Sequence, residues 1–253
     1  MSDPARPHRG TMVDERAEVL ANEVYPGHQH VLRLKAPEIA RRARPGSFVH
    51  LRCAPALAMR RPMSIMRANP TQGTVDILFK AHGQGTAELA ARQPGERLQV
   101  LGPIGVPFRQ ETYRRRPLLI GGGVGLPPMV YLAEHLRRQT GLGPLVVLGS
   151  EIPFPFTLRP STVMVPGMPP GVIATMPLLE DWGIACRLAS RQGYPGCFEG
   201  LVTDLAAQWL TALGPAVADE VEIFACGPTP MLKAVQALAA LVALRGIGRW
   251  TAE

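Results

Sequence analysis

The sequence predicts a β plus α/β chain, with an N-terminal six-stranded antiparallel barrel followed by a domain built on a parallel sheet. Three observations predict it. Up to about residue 110, short β-prone runs are separated by turn signals such as Tyr25–Pro26–Gly27, Arg44–Pro45–Gly46 and Gln93–Pro94–Gly95–Glu96. Beyond that point apolar runs alternate with helical stretches, the pattern that builds a parallel sheet with helices on both faces. Finally, 46% apolar and 19% charged residues give both halves enough material for a buried core.

In order, the barrel strands are expected at Ala17–Glu23, His30–Lys35, Ser47–Arg52, Ser64–Ala68, Thr74–Phe79 and Arg97–Leu101, with one helix at Thr86–Ala91. The second half opens with an apolar strand, Pro117–Gly121, then a glycine run and a helix at Pro127–Arg138. Strand Pro144–Leu148 and a proline-rich loop, Ile152–Pro170, come next. Further strands are expected at Gly171–Ala174, Ala185–Ala189 and Val221–Ala225, and helices at Val202–Leu213 and Pro230–Leu244. The expected organisation is a flexible tail over 1–13, a barrel over 14–113 and an α/β domain over 114–253.

The net charge of +7 is carried by arginine, since Lys35, Lys80 and Lys233 are the only lysines. Arginine clusters at Arg41–Arg42–Arg44, Arg60–Arg61 and Arg114–Arg115–Arg116 lack the aromatic interleaving, zinc spacing or continuous basic helix of a nucleic-acid module, so nucleic acid is not an expected partner. No apolar run is long enough to span a bilayer, and Met1–Thr11 has no apolar core of the kind a signal peptide needs, so no membrane is expected and a cytoplasmic location is. Cys53, Cys186, Cys197 and Cys226 form no CxxC pair, which argues against a zinc site or a locally bound iron–sulfur cluster.

Four stretches carry chemistry. Leu118–Leu119–Ile120–Gly121–Gly122–Gly123–Val124–Gly125–Leu126–Pro127–Pro128 is a buried strand entering glycines and then a helix start, where free N–H groups and close backbone approach suit a pyrophosphate. A purely structural turn is the alternative. In Val221–Glu222–Ile223–Phe224–Ala225–Cys226–Gly227–Pro228–Thr229–Pro230–Met231–Leu232, Cys226 falls at the carboxyl end of a parallel strand, with Thr229 placed to cap the next helix and Pro230 in its first turn. A buried structural cysteine is the alternative there. Arg60–Arg61–Pro62–Met63–Ser64–Ile65 offers a guanidinium able to grip a phosphate bidentately, with a hydroxyl three residues on. Leu78–Phe79–Lys80–Ala81–His82–Gly83–Gln84–Gly85–Thr86–Ala87–Glu88–Leu89 repeats the phosphate-cradling pattern of strand, glycine turn and helix, with His82 read as a solvated loop histidine.

Taken in this order, the four stretches resemble the ferredoxin–NADP reductase superfamily from Val19 to about Leu244. Within it the chain looks most like the electron-transfer subunit of type B dihydroorotate dehydrogenase. The added indications are Arg61–Pro62–Met63–Ser64, Leu101–Gly102–Pro103–Ile104–Gly105, and Gly193–Tyr194–Pro195–Gly196 leading to Gly200–Leu201–Val202–Thr203–Asp204. The resemblance implies an FAD-binding barrel, a nicotinamide-binding parallel sheet and an active site between them. Arg61, Pro62, Met63, Ser64, Leu78, Phe79, Lys80, Gly85 and Thr86 would form the FAD site, with Arg61 on the pyrophosphate and Ser64 near flavin N5. Gly121, Gly122, Gly123 and Gly125 would receive NAD or NADP, and Cys226, Gly227 and Pro228 would border the nicotinamide, which makes Ser64 and Cys226 the candidate catalytic residues. The implied partner is an FMN-containing dihydroorotate dehydrogenase catalytic subunit in a hetero-oligomer serving pyrimidine synthesis. A stand-alone NAD(P)H:ferredoxin, flavodoxin or flavin reductase and a non-catalytic scaffold are the rival readings.

Two features depart from that pattern. The relatives carry a C-terminal segment with four cysteines holding a [2Fe–2S] cluster, whereas residues 245–253 contain none, so the cluster is expected from the family while its ligands are absent. Either electrons leave the flavin directly, or the sequence is a truncated member. The strand ending in Ser190–Arg191 also resembles the pair that NADP-linked reductases place on a 2′-phosphate, which leaves NAD and NADP both open.

Overall fold

A computed structural model describes residues 11–108, 113–214, 217, 219–244 and 250–252. The chain divides after Phe108 into two compact units.

The first unit runs β1 (Val13–Tyr25), β2 (Gln29–Lys35), α1 (Pro37–Arg42), β3 (Phe48–Arg52), β4 (Arg61–Asn69), β5 (Thr74–Lys80), α2 (Gln84–Ala90) and β6 (Arg97–Ile104). Its six strands close into a barrel in the order β1-β2-β5-β4-β3-β6, and every pairing is antiparallel. Alternate residues such as Ala17 and Val19, or Leu32 and Leu34, turn inward and are fully buried, as the period of two requires. Asp76 is only 4% exposed, and its cross-strand neighbour Arg33 satisfies it through two bonds of 2.7 and 3.0 Å.

β4 begins at Arg61 rather than Ser64, because Arg61 already pairs with Leu51 of β3. α1 was not expected. It has six residues, and its first turn is held by a distant group: the Glu15 carboxylate of β1 accepts from the N–H groups of Glu38 and Ile39 at 3.2 and 3.0 Å. Of the expected flexible tail, residues 1–10 lie outside the described residues, and Val13 is already in β1.

The second unit runs β7 (Arg116–Gly122), a 3₁₀ turn (Gly123–Gly125), α3 (Leu126–Leu136), β8 (Leu145–Gly149), β9 (Arg159–Pro160), β10 (Ala174–Thr175), α4 (Pro177–Asp181), β11 (Ala185–Ser190), β12 (Phe198–Glu199), α5 (Val202–Leu213), β13 (Val221–Cys226), α6 (Thr229–Leu244) and β14 (Trp250–Ala252). Among the described residues the main sheet has six strands, all parallel, in the order β12-β11-β8-β7-β13-β14. β8 is buried along its whole length, as a strand covered on both faces must be. Leu118 and Ile120 of β7 pack with Leu205 and Trp209 of α5 and Val235 of α6. On the opposite face Gly121 lies against Met129 of α3.

One expected strand is corrected. Gly171–Ala174 does not join the parallel sheet. Gly171 takes φ +80°, Val172 N–H closes a turn onto Pro169 O, and only Ala174–Thr175 is extended, paired antiparallel with β9 inside the proline-rich segment. α6 also starts one residue early, so Thr229 is its first residue rather than its cap, and Pro228 O accepts from Leu232 N–H.

Candidate functional site

In the second unit the order of strands reverses at β7. The chain steps outward through β8, β11 and β12, then crosses back to add β13 on the other side. Ligands of open α/β sheets bind at the carboxyl ends of the strands flanking such a reversal. Those ends are Gly121–Gly122 of β7 and Cys226 of β13, and Cys226 is the direct partner of Gly121. Two expected stretches, far apart in sequence, thus meet at one place.

The glycines there have different physical jobs. A Cβ on Gly125 would lie 2.1 Å from Cys226 O and 2.7 Å from Gly227 N, so the two loops can touch only because Gly125 has no side chain. Cβ atoms on Gly122 and Gly227 would both strike Met231, at 2.5 Å from Sδ and Cε respectively. Gly121 is closed in by Leu148 and Met129. Gly123 alone of the run combines φ +55° with open space where a Cβ would be, so its backbone faces outward. Leu126, Pro127 and Pro128 then form the first turn of α3, where proline loses no hydrogen bond. Cys226 is half-buried and Pro228 is exposed.

At the carboxyl ends of β8 and β11, Ser190 is buried and its Oγ accepts from Gln192 N–H at 3.2 Å. Arg191 is exposed, and the Glu151 carboxylate after β8 takes it through bonds of 3.0 to 3.2 Å from Nη2 and Nε. Those hydrogen bonds raise the Arg191 pKa above its usual value.

In the first unit, Arg61 lies directly on Gly85. A Cβ on Gly85 would be 2.7 Å from Nε and 3.3 Å from Cζ of Arg61. Arg61 Nη1 donates to Met59 O at 3.3 Å, and no carboxylate pairs with it among the described residues, which leaves its charge for a ligand. The turn beneath it is stitched by Thr86, whose Oγ1 accepts from His82 N–H at 2.6 Å and bonds back to His82 O at 2.7 Å. Asn22 of β1 fixes the far end of α2, donating Nδ2 to Leu89 O, Ala90 O and Arg92 O at 3.0 to 3.1 Å. Nothing in the sequence flags Asn22, because its partners lie 67 to 70 residues away.

The remaining expected residues divide. Ser64 and Met63 are half-buried on β4, Pro62 and Lys80 are exposed, and all lie on strands of the same barrel as Arg61. Leu78 and Phe79 are 5% and 2% exposed, and Phe79 is stacked on His30 with centroids 5.1 Å apart, so neither offers its side chain to a ligand.

The donor chemistry of each site bears on what it could hold. Arg61 over Gly85, without an ion-pair partner, fits a phosphate of a flavin dinucleotide. The outward backbone at Gly123 and the start of α3 fit a second dinucleotide. A [2Fe–2S] cluster does not fit the described cysteines: no group of three potential ligands comes together among the described residues, and burial raises the thiols of Cys53, Cys186 and Cys197, the last two to about 11.

No family model matches the chain. It is 32% identical over 225 residues to the electron transfer subunit of dihydroorotate dehydrogenase B (NAD(+)) of Geobacillus thermodenitrificans, covering 87% of this chain and 77% of that one. The corresponding subunit of Shouchella clausii is 31% identical over 210 residues, covering 81% and 71%. Among solved structures, an NADH-dependent reduced ferredoxin–NADP oxidoreductase shares the fold, with a TM-score of 0.69 at 24% identity over 89% of this chain and 72% of that one. These identities show that the chain, which shares the fold of that reductase, belongs to the family of electron-transfer subunits of dihydroorotate dehydrogenase B, an oxidoreductase family.

Proposed function

We propose that this chain holds FAD on the barrel and NAD on the parallel sheet and passes electrons between them. The observation that carries the reading is the pair of glycine-dependent cradles, one in each unit of a chain with this family membership. Bound together, the two cofactors supply hydride transfer between nicotinamide C4 and flavin N5. The chain's own residues bind and orient. Arg61 holds the FAD pyrophosphate with its unpaired guanidinium, while Gly85 and Thr86 shape the turn that supports it. Ser64 would serve the N5 edge of the flavin, and the Gly121–Gly125 backbone would take the pyrophosphate of NAD. Cys226, Gly227 and Pro228 border the nicotinamide and limit where its ring can lie. Lys80 adds a charge near the flavin phosphates, and Leu78 and Phe79 act as packed support.

NAD rather than NADP is favoured by Glu151. With its carboxylate on Arg191, a 2′-phosphate would meet a negative charge and a guanidinium already engaged. The names of the relatives, which specify NAD(+), point the same way.

The proposed partner is an FMN-containing dihydroorotate dehydrogenase catalytic subunit, so electrons from dihydroorotate would enter through this chain's FAD and leave on NAD. A stand-alone NAD(P)H-dependent reductase is the second reading, favoured by the lack, among the described residues, of a cysteine set placed for a cluster. Purified chain should bind FAD on titration and, when co-expressed with such a catalytic subunit, support dihydroorotate-dependent NAD reduction. FAD reduction by NADH in the isolated chain, with no dihydroorotate activity in any co-expressed pair, would select the stand-alone reading.

A further inference from the structure

The outer face of the barrel carries a cleft of about 470 Å³, a volume in the range of small-molecule sites. It is built across three neighbouring strands. Gln99 of β6 stands directly between Arg16 of β1 and Arg52 of β3, and Arg97 lies two residues before it on β6. Ala17, Leu51 and Leu98, the chain neighbours of these residues, are buried in the barrel core, so the period of two turns all four side chains outward. Neighbouring strands lie about 4.8 Å apart, which sets the backbones of Arg16 and Arg52 roughly 10 Å apart across Gln99.

The charge there is one-sided and within reach. Arg16, Arg52 and Arg97 are exposed, and none of them makes an ion pair among the described residues. Arg52 donates Nη2 to Pro55 O at 3.2 Å and keeps its other N–H groups. Glu18 faces Arg97 across the strand pair without an ion pair to it. Among the described residues that line the cleft, Asp14 is the one acid, and it is already matched: Oδ2 accepts from Arg60 Nη2 at 3.0 Å and from Gln99 Nε2 at 3.1 Å. Arg92 closes one wall with its guanidinium engaged, donating Nη2 to Cys53 O at 2.8 Å and pairing Nη1 with Glu96 at 3.3 Å. Those bonds tie the end of α2 to the segment after β3, so the cleft is preformed and three guanidinium groups remain for a ligand.

We infer that this cleft binds a chain of phosphates, the triphosphate of a nucleotide or inorganic polyphosphate, held by Arg16, Arg52 and Arg97. Each guanidinium offers a planar fork that meets two phosphate oxygens at once. Three like charges on three strands repel one another. A ligand that spreads several negative charges over a comparable length relieves all three, whereas a single phosphate matches one or two. Ala54 and the exposed Pro55 add an apolar wall for a nucleoside. The cleft lies wholly on the barrel, and the inference does not depend on the function proposed above.

The test titrates the full chain with tripolyphosphate, ATP and orthophosphate by calorimetry at low ionic strength, in saturating FAD and NAD so that dinucleotide sites are filled. One saturable site for tripolyphosphate is expected, weakening as salt is added. Arg16→Gln and Arg97→Gln should each weaken it about tenfold, the loss of a hydrogen bond between charged groups, and orthophosphate should bind at least about tenfold more weakly. Both arginines are exposed and free of ion pairs, so these variants keep the fold. Arg138→Gln, which removes an exposed charge from the other unit, should leave the affinity unchanged. Equal affinity for tripolyphosphate and ATP assigns recognition to the phosphates alone, and tighter binding of ATP adds the nucleoside; either result supports the proposal. Absence of saturable binding, equal binding of orthophosphate, unchanged affinity in both cleft variants, or an equal loss in Arg138→Gln would overturn it. So would a fall in FAD affinity in Arg16→Gln or Arg97→Gln, read by flavin fluorescence, since it would give these arginines to the flavin.

Discussion

The two cradles solve the same problem by different means. In the barrel, a flexible side chain lies over a glycine: Arg61 rests on Gly85, and the charge is the working part. In the parallel sheet, backbone lies against backbone: Gly125 meets Cys226 and Gly227, and the absence of a side chain is the working part. A cradle of the first kind should tolerate steric change and respond to charge and salt. One of the second kind should do the reverse.

Substitution can break or sharpen that contrast. The largest effect is expected for Gly125→Ala, whose Cβ would sit 2.1 Å from a backbone oxygen that cannot swing aside. It should cost at least about 3 kcal/mol of stability, read by denaturant unfolding, and abolish NADH binding while FAD stays bound. Arg61→Ala comes next. FAD affinity, measured by fluorescence titration, should fall roughly tenfold to a hundredfold, and its salt dependence should flatten. Gly85→Ala should weaken FAD less than Arg61→Ala, because the clashing atom is the far part of a flexible side chain.

Asn22→Ala removes the group that holds three carbonyls at the end of α2 and should destabilise the chain by about 1–3 kcal/mol in denaturant unfolding. Gly123→Ala meets no atom within 4 Å and should cost only about 1–2 kcal/mol, for its left-handed backbone. If Gly123→Ala were as damaging as Gly125→Ala, close loop packing would not be what the glycine run provides. The smallest effect belongs to Glu151→Ala. Releasing an exposed ion pair should shift the NADH-to-NADPH preference toward NADPH by less than about fivefold, read as the ratio of flavin reduction rates.

Much of this was legible in the sequence, for identifiable reasons. The barrel strands and the β7, β8, β11 and β13 cores were readable because their periodicity is local, and turns such as Arg44–Pro45–Gly46 punctuate them. The glycine run after β7 and the Cys226–Gly227–Pro228 turn could be singled out, but not their mutual contact, which spans roughly a hundred residues of sequence and arises from strand order. The same limit hid α1, capped by Glu15 from another strand, and Asn22, whose three partners come from α2 and the turn after it. The pairing of Arg191 with Glu151 was hidden for the same reason, at a separation of 40 residues. Gly171–Ala174 misled because β-prone residues sit beside prolines that turn the chain away.

The central claim is that one chain carries both halves of a flavin–nicotinamide relay. Its most direct test is anaerobic stopped-flow mixing of the FAD-loaded chain with NADH and, separately, with NADPH, followed by the loss of flavin absorbance. The account predicts rapid bleaching by NADH, slower bleaching by NADPH, and loss of both in Gly125→Ala. A chain that binds no FAD, or whose bound FAD neither nucleotide reduces, would contradict it.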